Sequence, residues 1–300
     1  MSKEWNFISA VVYVEDEQPE TMDFFEMLNR VLDEHFMQYE IIAVNACRES
    51  YSLPKLKEWA SGIKKPLTII NMSLKQSHEQ CMNAGLDMSI GDYVYEFDST
   101  DMPYPEVMIW DSYQAAMAGN DIVTVCPKKV KGWSRMFYHI FNASSSAAYE
   151  LRTDVFRLVS RRAINRAHAM GDNLPYRKAT YASCGLKMMV LEFNGKTSRR
   201  KEERFELAVD SLALYTDFGY KFSLGLTACM LLATLLELVY TVVIWLTGSP
   251  ISGWTTTMFV LTLGLFGLFA ILAITLKYLT LILKLIFQKQ NYLIESTERL

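Results

Sequence analysis

The chain has 300 residues, enough for one large domain or two smaller ones, and a net charge of −3, which argues against a general nucleic-acid binder. Hydrophobic residues make up 51% of it and its mean hydropathy is +0.08, high for a wholly soluble chain. Five cysteines, Cys47, Cys81, Cys126, Cys184 and Cys229, lack CxxC spacing, which disfavours a zinc site or a disulfide framework and fits a reducing cytoplasm.

The N-terminal residues MSKEWNFISA do not resemble a signal peptide, so the first domain is expected on the cytoplasmic side. A buried-type apolar run at 8–14 (ISAVVYV) is followed by the acidic stretch EDEQPE and a helix over 21–36. Phe25, Leu28, Val31, Leu32 and Phe36 share one face of that helix. Strands at 39–45 and 67–71 flank a helix at 53–63 with Leu56, Trp59, Ala60 and Ile63 inward. A further helix at 77–89 leads to the next strand, IGDYVYEFDSTDMPYPE, in which Tyr93, Val94, Tyr95 and Phe97 run into Asp98 and Asp101. A helix at 107–118 and a strand at 121–126 follow. Strands and helices alternating at this spacing predict a mostly parallel α/β sheet with helices on both faces. Ligands bind such sheets at the strands' C-terminal ends, where Asp98 and Asp101 stand. Paired carboxylates on a rigid strand suit Mg²⁺ or Mn²⁺ carrying a diphosphate, and a solvated acidic turn is the plainer alternative.

The stretch KKVKGWSR, at 128–135, is basic and leads into aromatic MFYHIFNASSSAAYEL. It reads either as a solvated loop or as an element that meets phosphate or a membrane surface. Another strand is expected at 187–193, and a second basic run, GKTSRRKEER, precedes a helix at 205–214. Residues 224–246 and 255–276 are each long and apolar enough to cross about 30 Å of hydrocarbon. Basic residues cluster before the first span and after the second, while TGSPISGW between them is uncharged, so a hairpin with both flanks cytoplasmic is expected. Glu237, near the middle of the first span, favours pairing at a helix interface. The expected organisation is a cytoplasmic domain at 1–204, an interfacial helix or linker at 205–222, spans at 223–247 and 255–277, and a cytoplasmic amphipathic tail at 278–300.

The order of elements resembles the inverting family 2 glycosyltransferases that move a sugar from a nucleotide onto a polyisoprenyl phosphate, similar to dolichol-phosphate mannose synthases and bacterial undecaprenyl-phosphate glycosyltransferases. The resemblance covers nearly the whole chain. VVYVEDEQPE is similar to the family's first strand and Asn-Glu loop, IGDYVYEFDSTDMPYPE to its Gly-Asp-Tyr strand, Asp-x-Asp motif and Pro-Glu, CPKKVKGWSR to its basic acceptor loop, DVFRLVSRRAI to its Asp-Phe-Arg-Leu segment, and KYLTLILKLIFQKQNYLIES to its closing amphipathic segment. The resemblance implies a GT-A-like fold on the bacterial cytoplasmic membrane and a divalent metal, Mg²⁺ or Mn²⁺, held by Asp98 and Asp101. It implies donor binding by Val14, Glu17, Asn45 and Asp98, catalysis by Asp98, Asp101, Asp154 and Arg157, and capture of the acceptor's phosphate by Lys128, Lys131 and Arg135. The implied partners are a nucleotide sugar, a polyisoprenyl-phosphate lipid, the membrane and further copies of the chain, such as a tetramer.

Three departures alter named contacts. Thr100 stands where the second metal-motif aspartate is usual, Asn45 and Ala46 replace an aspartate pair, and Val155 puts Asp154 one place out of register. They leave open a second reading, a catalytically degenerate relative that serves as a binding or assembly subunit.

Overall fold

In the computed structural model, β1 (Ile8–Val14) and β2 (Tyr39–Asn45) are buried along their whole length. Their β-branched and aromatic side chains meet helices on both faces of the sheet, which is why they read as unbroken apolar runs. The structure describes residues 3–14, 21–46, 52–62, 66–73, 76–129, 138–139, 141–143, 148–170, 176–196, 218–248, 253–286 and 292–300. Glu17, Lys131, Arg135 and the expected helix at 205–214 lie outside them.

Helix α1 (Thr21–His35) buries Phe25, Leu28, Val31 and Leu32, as their spacing predicts. The alternation continues through α2 (Ser52–Gly62), β3 (Leu67–Met72), α3 (His78–Met88), β4 (Tyr93–Phe97), α4 (Val107–Met117) and β5 (Ile122–Lys129). Next come β6 (Phe156–Ser160), α5 (Arg161–Met170), α6 (Arg177–Ser183) and β7 (Met188–Lys196). The eight-stranded sheet has the order β7-β5-β6-β4-β1-β2-β3-β8. Strands β4, β1, β2 and β3 are mutually parallel, while β6 runs antiparallel between β4 and β5.

Two apolar layers cover the sheet. Tyr95, Phe97 and Phe156 pack with Phe24, Phe25, Ile109 and Tyr113 on one face, and Val11, Val44, Val94 and Val159 pack with Met82, Leu86, Ile164 and Tyr181 on the other. Helix α3 lies very close to this second face at Gly85, where an added Cβ would stand 2.4 Å from Val11 and 2.8 Å from Val44. A side chain there would push the helix off the sheet. Ser77 and Gln80 close a reciprocal capping box at its N-terminus, which fixes the start of the helix beside the end of β4.

The chain divides into two units: Met1–Ala208 with Gln288–Leu300, and Val209–Phe287. The second holds α7 (Phe218–Thr247) and α8 (Trp254–Ile286), within which Leu224–Thr247 and Trp254–Leu276 are long and apolar enough to cross a membrane. These two helices make a candidate membrane hairpin, with large apolar side chains such as Leu232, Leu236, Trp245, Val260 and Ile271 facing outward. Thr227, Thr234 and Thr241 are buried at heptad spacing on α7.

The sequence pattern assigns 278–300 to a tail, yet β8 (Ile294–Arg299) is a strand of the sheet, antiparallel to β3 with Thr68 opposite Arg299. Its residues IESTER are largely exposed, so no apolar alternation marked them as a strand. Gln76 holds its start as a backbone would: Nε2 donates to the Leu293 carbonyl and Oε1 accepts from the Leu293 N–H, each at 2.8 Å. Lys57 meets Glu298 at 2.6 Å nearer the other end.

Candidate active site

Strand register gathers the chemistry at one end of the sheet. Val14 stands beside Asn45, and Val12 beside Phe97, so the ends of β1 and β2 and the Asp98 turn share an edge. The antiparallel pairing of β4 with β6 sets Arg157 opposite Glu96 and brings Asp154, ahead of β6, to the same edge. Strand β5 ends there too, with Lys128 exposed. The C-terminal edge of a parallel sheet is where such folds bind ligands.

A network of ion pairs occupies this edge. Arg157 donates from Nε to Asp154 Oδ2 at 2.9 Å, from Nη1 to Glu96 Oε2 at 3.0 Å and from Nη2 to Asp98 Oδ2 at 2.6 Å. Arg177, at the start of α6, donates from its backbone N–H and its Nε to Glu79 Oε2, from Nη1 to Glu96 Oε2, and from Nη2 to Asp98 Oδ1 at 2.8 Å. Tyr181 donates to Glu96 Oε1 at 2.6 Å. Asp154 Oδ1 forms an ion pair with Lys178 without a directed hydrogen bond. The side chains of Glu96 and Arg177 have no exposure, and Asp98, at 24%, is the most exposed of the group.

Charges this deep persist only in mutual contact. Burial alone would raise the Glu79 carboxyl, but the Arg177 guanidinium and His78 together outweigh it and hold the group at about 2. Asp98 is likewise held well below the usual carboxylate range, because Arg157 and Arg177 overcome its burial. Burial works against the Lys178 ammonium, and Asp154 with Tyr138 and Asp98 reverses that and raises it. His78 completes the edge: its Nε2 lies 3.1 Å from the Asp98 carbonyl oxygen, and its ring packs on Tyr13 at 4.5 Å.

Of the residues singled out in the sequence, Asp98, Asp154 and Arg157 come together in this network. Val14 and Asn45 lie at the ends of β1 and β2, and Asn45 Nδ2 donates to Asn71 Oδ1 at 3.0 Å. Thr100 turns inward, 1% exposed, with its hydroxyl 3.3 Å from that of Thr21 at the start of α1. Asp101 is partly exposed, and among the described residues its carboxylate has no ion-pair partner. Sequence reasoning missed Glu79, Glu96, Arg177, Lys178 and Tyr181. Glu96 did carry a signal, since a carboxylate inside an otherwise apolar strand needs a buried cation; nothing comparable marked Arg177 in PYRKATYAS ahead of β7.

The donor set at Asp98 does not fit a divalent ion. Each carboxylate oxygen already accepts from a guanidinium, and two fixed positive charges beside it repel a third cation. Among the described residues, no three His, Cys, Asp or Glu side chains converge on a point where a metal could sit. At Asp98, expected to hold the metal together with Asp101, the carboxylate is clamped by Arg157 and Arg177.

No protein-family model matches the chain. It is 24% identical over 265 residues to the uncharacterized glycosyltransferase YkcC of Bacillus subtilis, a match that covers 83% of this chain and 80% of that protein. It is also 24% identical over 206 residues to the uncharacterized glycosyltransferase sll0501 of Synechocystis sp., covering 66% of this chain and 62% of that protein. Among solved structures it is similar to the mannosyltransferase PcManGT from Pyrobaculum calidifontis, in complex with GDP-Man and Mn²⁺. That match has a TM-score of 0.51 at 14% identity, covering 69% of this chain and 62% of that one. The fold is thus GT-A-like, a mostly parallel mixed sheet with flanking helices, and it carries two apolar helices near its C-terminus. The chain is a homologue of proteins named as glycosyltransferases.

Proposed function

We propose that this protein is a membrane-anchored glycosyltransferase that moves a sugar from a nucleotide-sugar donor to a polyisoprenyl phosphate. One observation carries the reading beyond the fold. The chain leaves the sheet domain, runs through two apolar helices, and returns to pair β8 with β3 of the same sheet. A sheet cannot be built across a bilayer, so any membrane crossings between its strands are even in number, which supports a hairpin anchor with the sheet domain and the C-terminus on one face. An enzyme so tethered meets lipid-borne acceptors.

The chemistry follows from the charges at the sheet edge. The donor lies over the ends of β1 and β2, with Val14 and Asn45 facing the nucleoside and Glu17, a few residues on in the sequence, as a further contact. Asp98 and Asp154 pair with Arg157, Arg177 and Lys178, which lowers the repulsion that a diphosphate meets at the floor of the site. Lys128, with Lys131 and Arg135 further along the basic sequence, orients the acceptor's phosphate. That phosphate is anionic near neutral pH, its second pKa being about 6, so it attacks the anomeric carbon without a strong base. Inversion follows from a single displacement in which the nucleoside diphosphate leaves. Asp154, buried and paired, steadies Arg157 and takes no proton.

The test is to incubate the detergent-purified protein with a panel of labelled nucleotide sugars and undecaprenyl phosphate, and to look for label in the lipid fraction. Absence of lipid-linked sugar from every donor would refute the reading. The arginine clamp on Asp98 favours a second one, a relative that binds a nucleotide or assembles with a partner but transfers nothing. Nucleotide binding without turnover in the same assay is its signature.

A further inference from the structure

We propose that Arg157 and Arg177 take the place of a divalent cation at Asp98, and that this protein binds a nucleoside diphosphate without metal. The inference rests on the donor site described above. A divalent ion in such a site brings two positive charges to an aspartate and thereby lets an anionic diphosphate approach. Here two guanidinium groups bring the same charge to the same carboxylate, one to each oxygen, at 2.6 and 2.8 Å.

Both are fixed from behind. Glu96 Oε2 accepts from Nη1 of each arginine, Glu79 accepts from Arg177 Nε, and Asp154 accepts from Arg157 Nε. The supporting carboxylates are buried, so each arginine keeps one orientation, with its Nη2 aimed at Asp98. Among the described residues of the network, Glu79, Glu96, Asp98 and Asp154 supply four negative charges and Arg157, Arg177 and Lys178 supply three positive ones, so side chains alone offset most of the carboxylate charge. Thr100, buried against Thr21, removes the second carboxylate that an ion would need, and the charge that an ion would have to cancel.

The arrangement is tested on the full-length protein in detergent. Binding of UDP and of GDP is measured by calorimetry in EDTA and again in Mn²⁺, and Mn²⁺ alone is titrated by electron paramagnetic resonance. The expected result is that one of the nucleotides binds with affinities in EDTA and Mn²⁺ that agree within about twofold, and that Mn²⁺ alone does not bind stoichiometrically. Arg177→Gln removes one charge from Asp98 and is expected to weaken nucleotide binding in EDTA by about tenfold, with partial rescue by Mn²⁺. If that variant fails to fold, the wild-type comparison decides alone. Nucleotide binding that requires Mn²⁺ and is lost in Asp98→Asn overturns the proposal and leaves the glycosyltransferase reading intact. No binding of either nucleotide under any condition overturns the donor-site reading, and the proposal with it.

Discussion

Arg157 stands directly across the sheet from Glu96, and its Nη1 reaches Glu96 Oε2 at 3.0 Å with both side chains sealed from solvent. A cross-strand ion pair in the middle of an apolar sheet is costly to build and more costly to halve. Removing one partner of a buried pair typically destabilises by about 3–5 kcal/mol, because the other charge is left without compensation. Glu96→Gln leaves two guanidinium groups short of an anion, so a loss of at least that order is expected in chemical denaturation. A change below about 1 kcal/mol would show that the network does not support the fold.

Acid should open the same network. Glu79 falls from an ordinary value of 4.5 to about 2 in the folded protein, and Asp98 is depressed as well. A group with a lowered folded pKa binds protons more readily when unfolded, so its stabilisation is complete above about pH 4.5 and is lost as the pH falls towards 2. For Glu79 the amount is on the order of 3 kcal/mol. Thermal unfolding followed from pH 6 down to about pH 2 should show a steep fall in Tm below about pH 4.5. A flat profile there would mean that Glu79 is not held by Arg177.

The acceptor phosphate is assigned to Lys128, Lys131 and Arg135, and the buried Asp154 is given no proton to move. Arg135→Ala is accordingly expected to raise the apparent KM for lipid phosphate about tenfold or more while leaving nucleotide affinity unchanged. Asp154→Asn should lower Tm without changing the form of the pH–rate profile, because its partners Arg157 and Lys178 lose a fixed anion. Loss of one ionisation from that profile in a folded Asp154→Asn protein would return the role of general base to Asp154.

The hairpin makes a prediction of sidedness. In a cysteine-free background, a cysteine at Ser249 should react with an impermeant maleimide from the face opposite the sheet domain, and one at Leu300 only from the sheet's own face. Labelling of both from one side would exclude a two-span anchor.

Much of the sheet was legible because its strands advertise themselves. ISAVVYV and YEIIAVN are apolar throughout, and the face of α1 repeats with helical spacing. Two strands escaped. FRLVS has a charge at its second position, and the sequence gives no hint that Arg157 lies across from Glu96. IESTER pairs only at the sheet's edge, where one partner and much solvent leave no apolar pattern. The site was half legible for a related reason. Asp98 could be placed from its position after a strand, but what surrounds it comes from α3, α6 and β6, and sequence distance hides contacts such as that between Arg177 and Glu96.

The pairing of Lys57 with Glu298 joins residues 241 positions apart, and β8 follows both apolar helices in the chain. During synthesis, at roughly 5–20 residues per second, β3 therefore remains an open edge for the whole time that the two apolar helices are being translated. An open edge is a template for pairing with other chains. Only once β8 has itself been made can that edge be covered. Nascent chains stalled just short of Ile294 should for that reason be the species most in need of a chaperone.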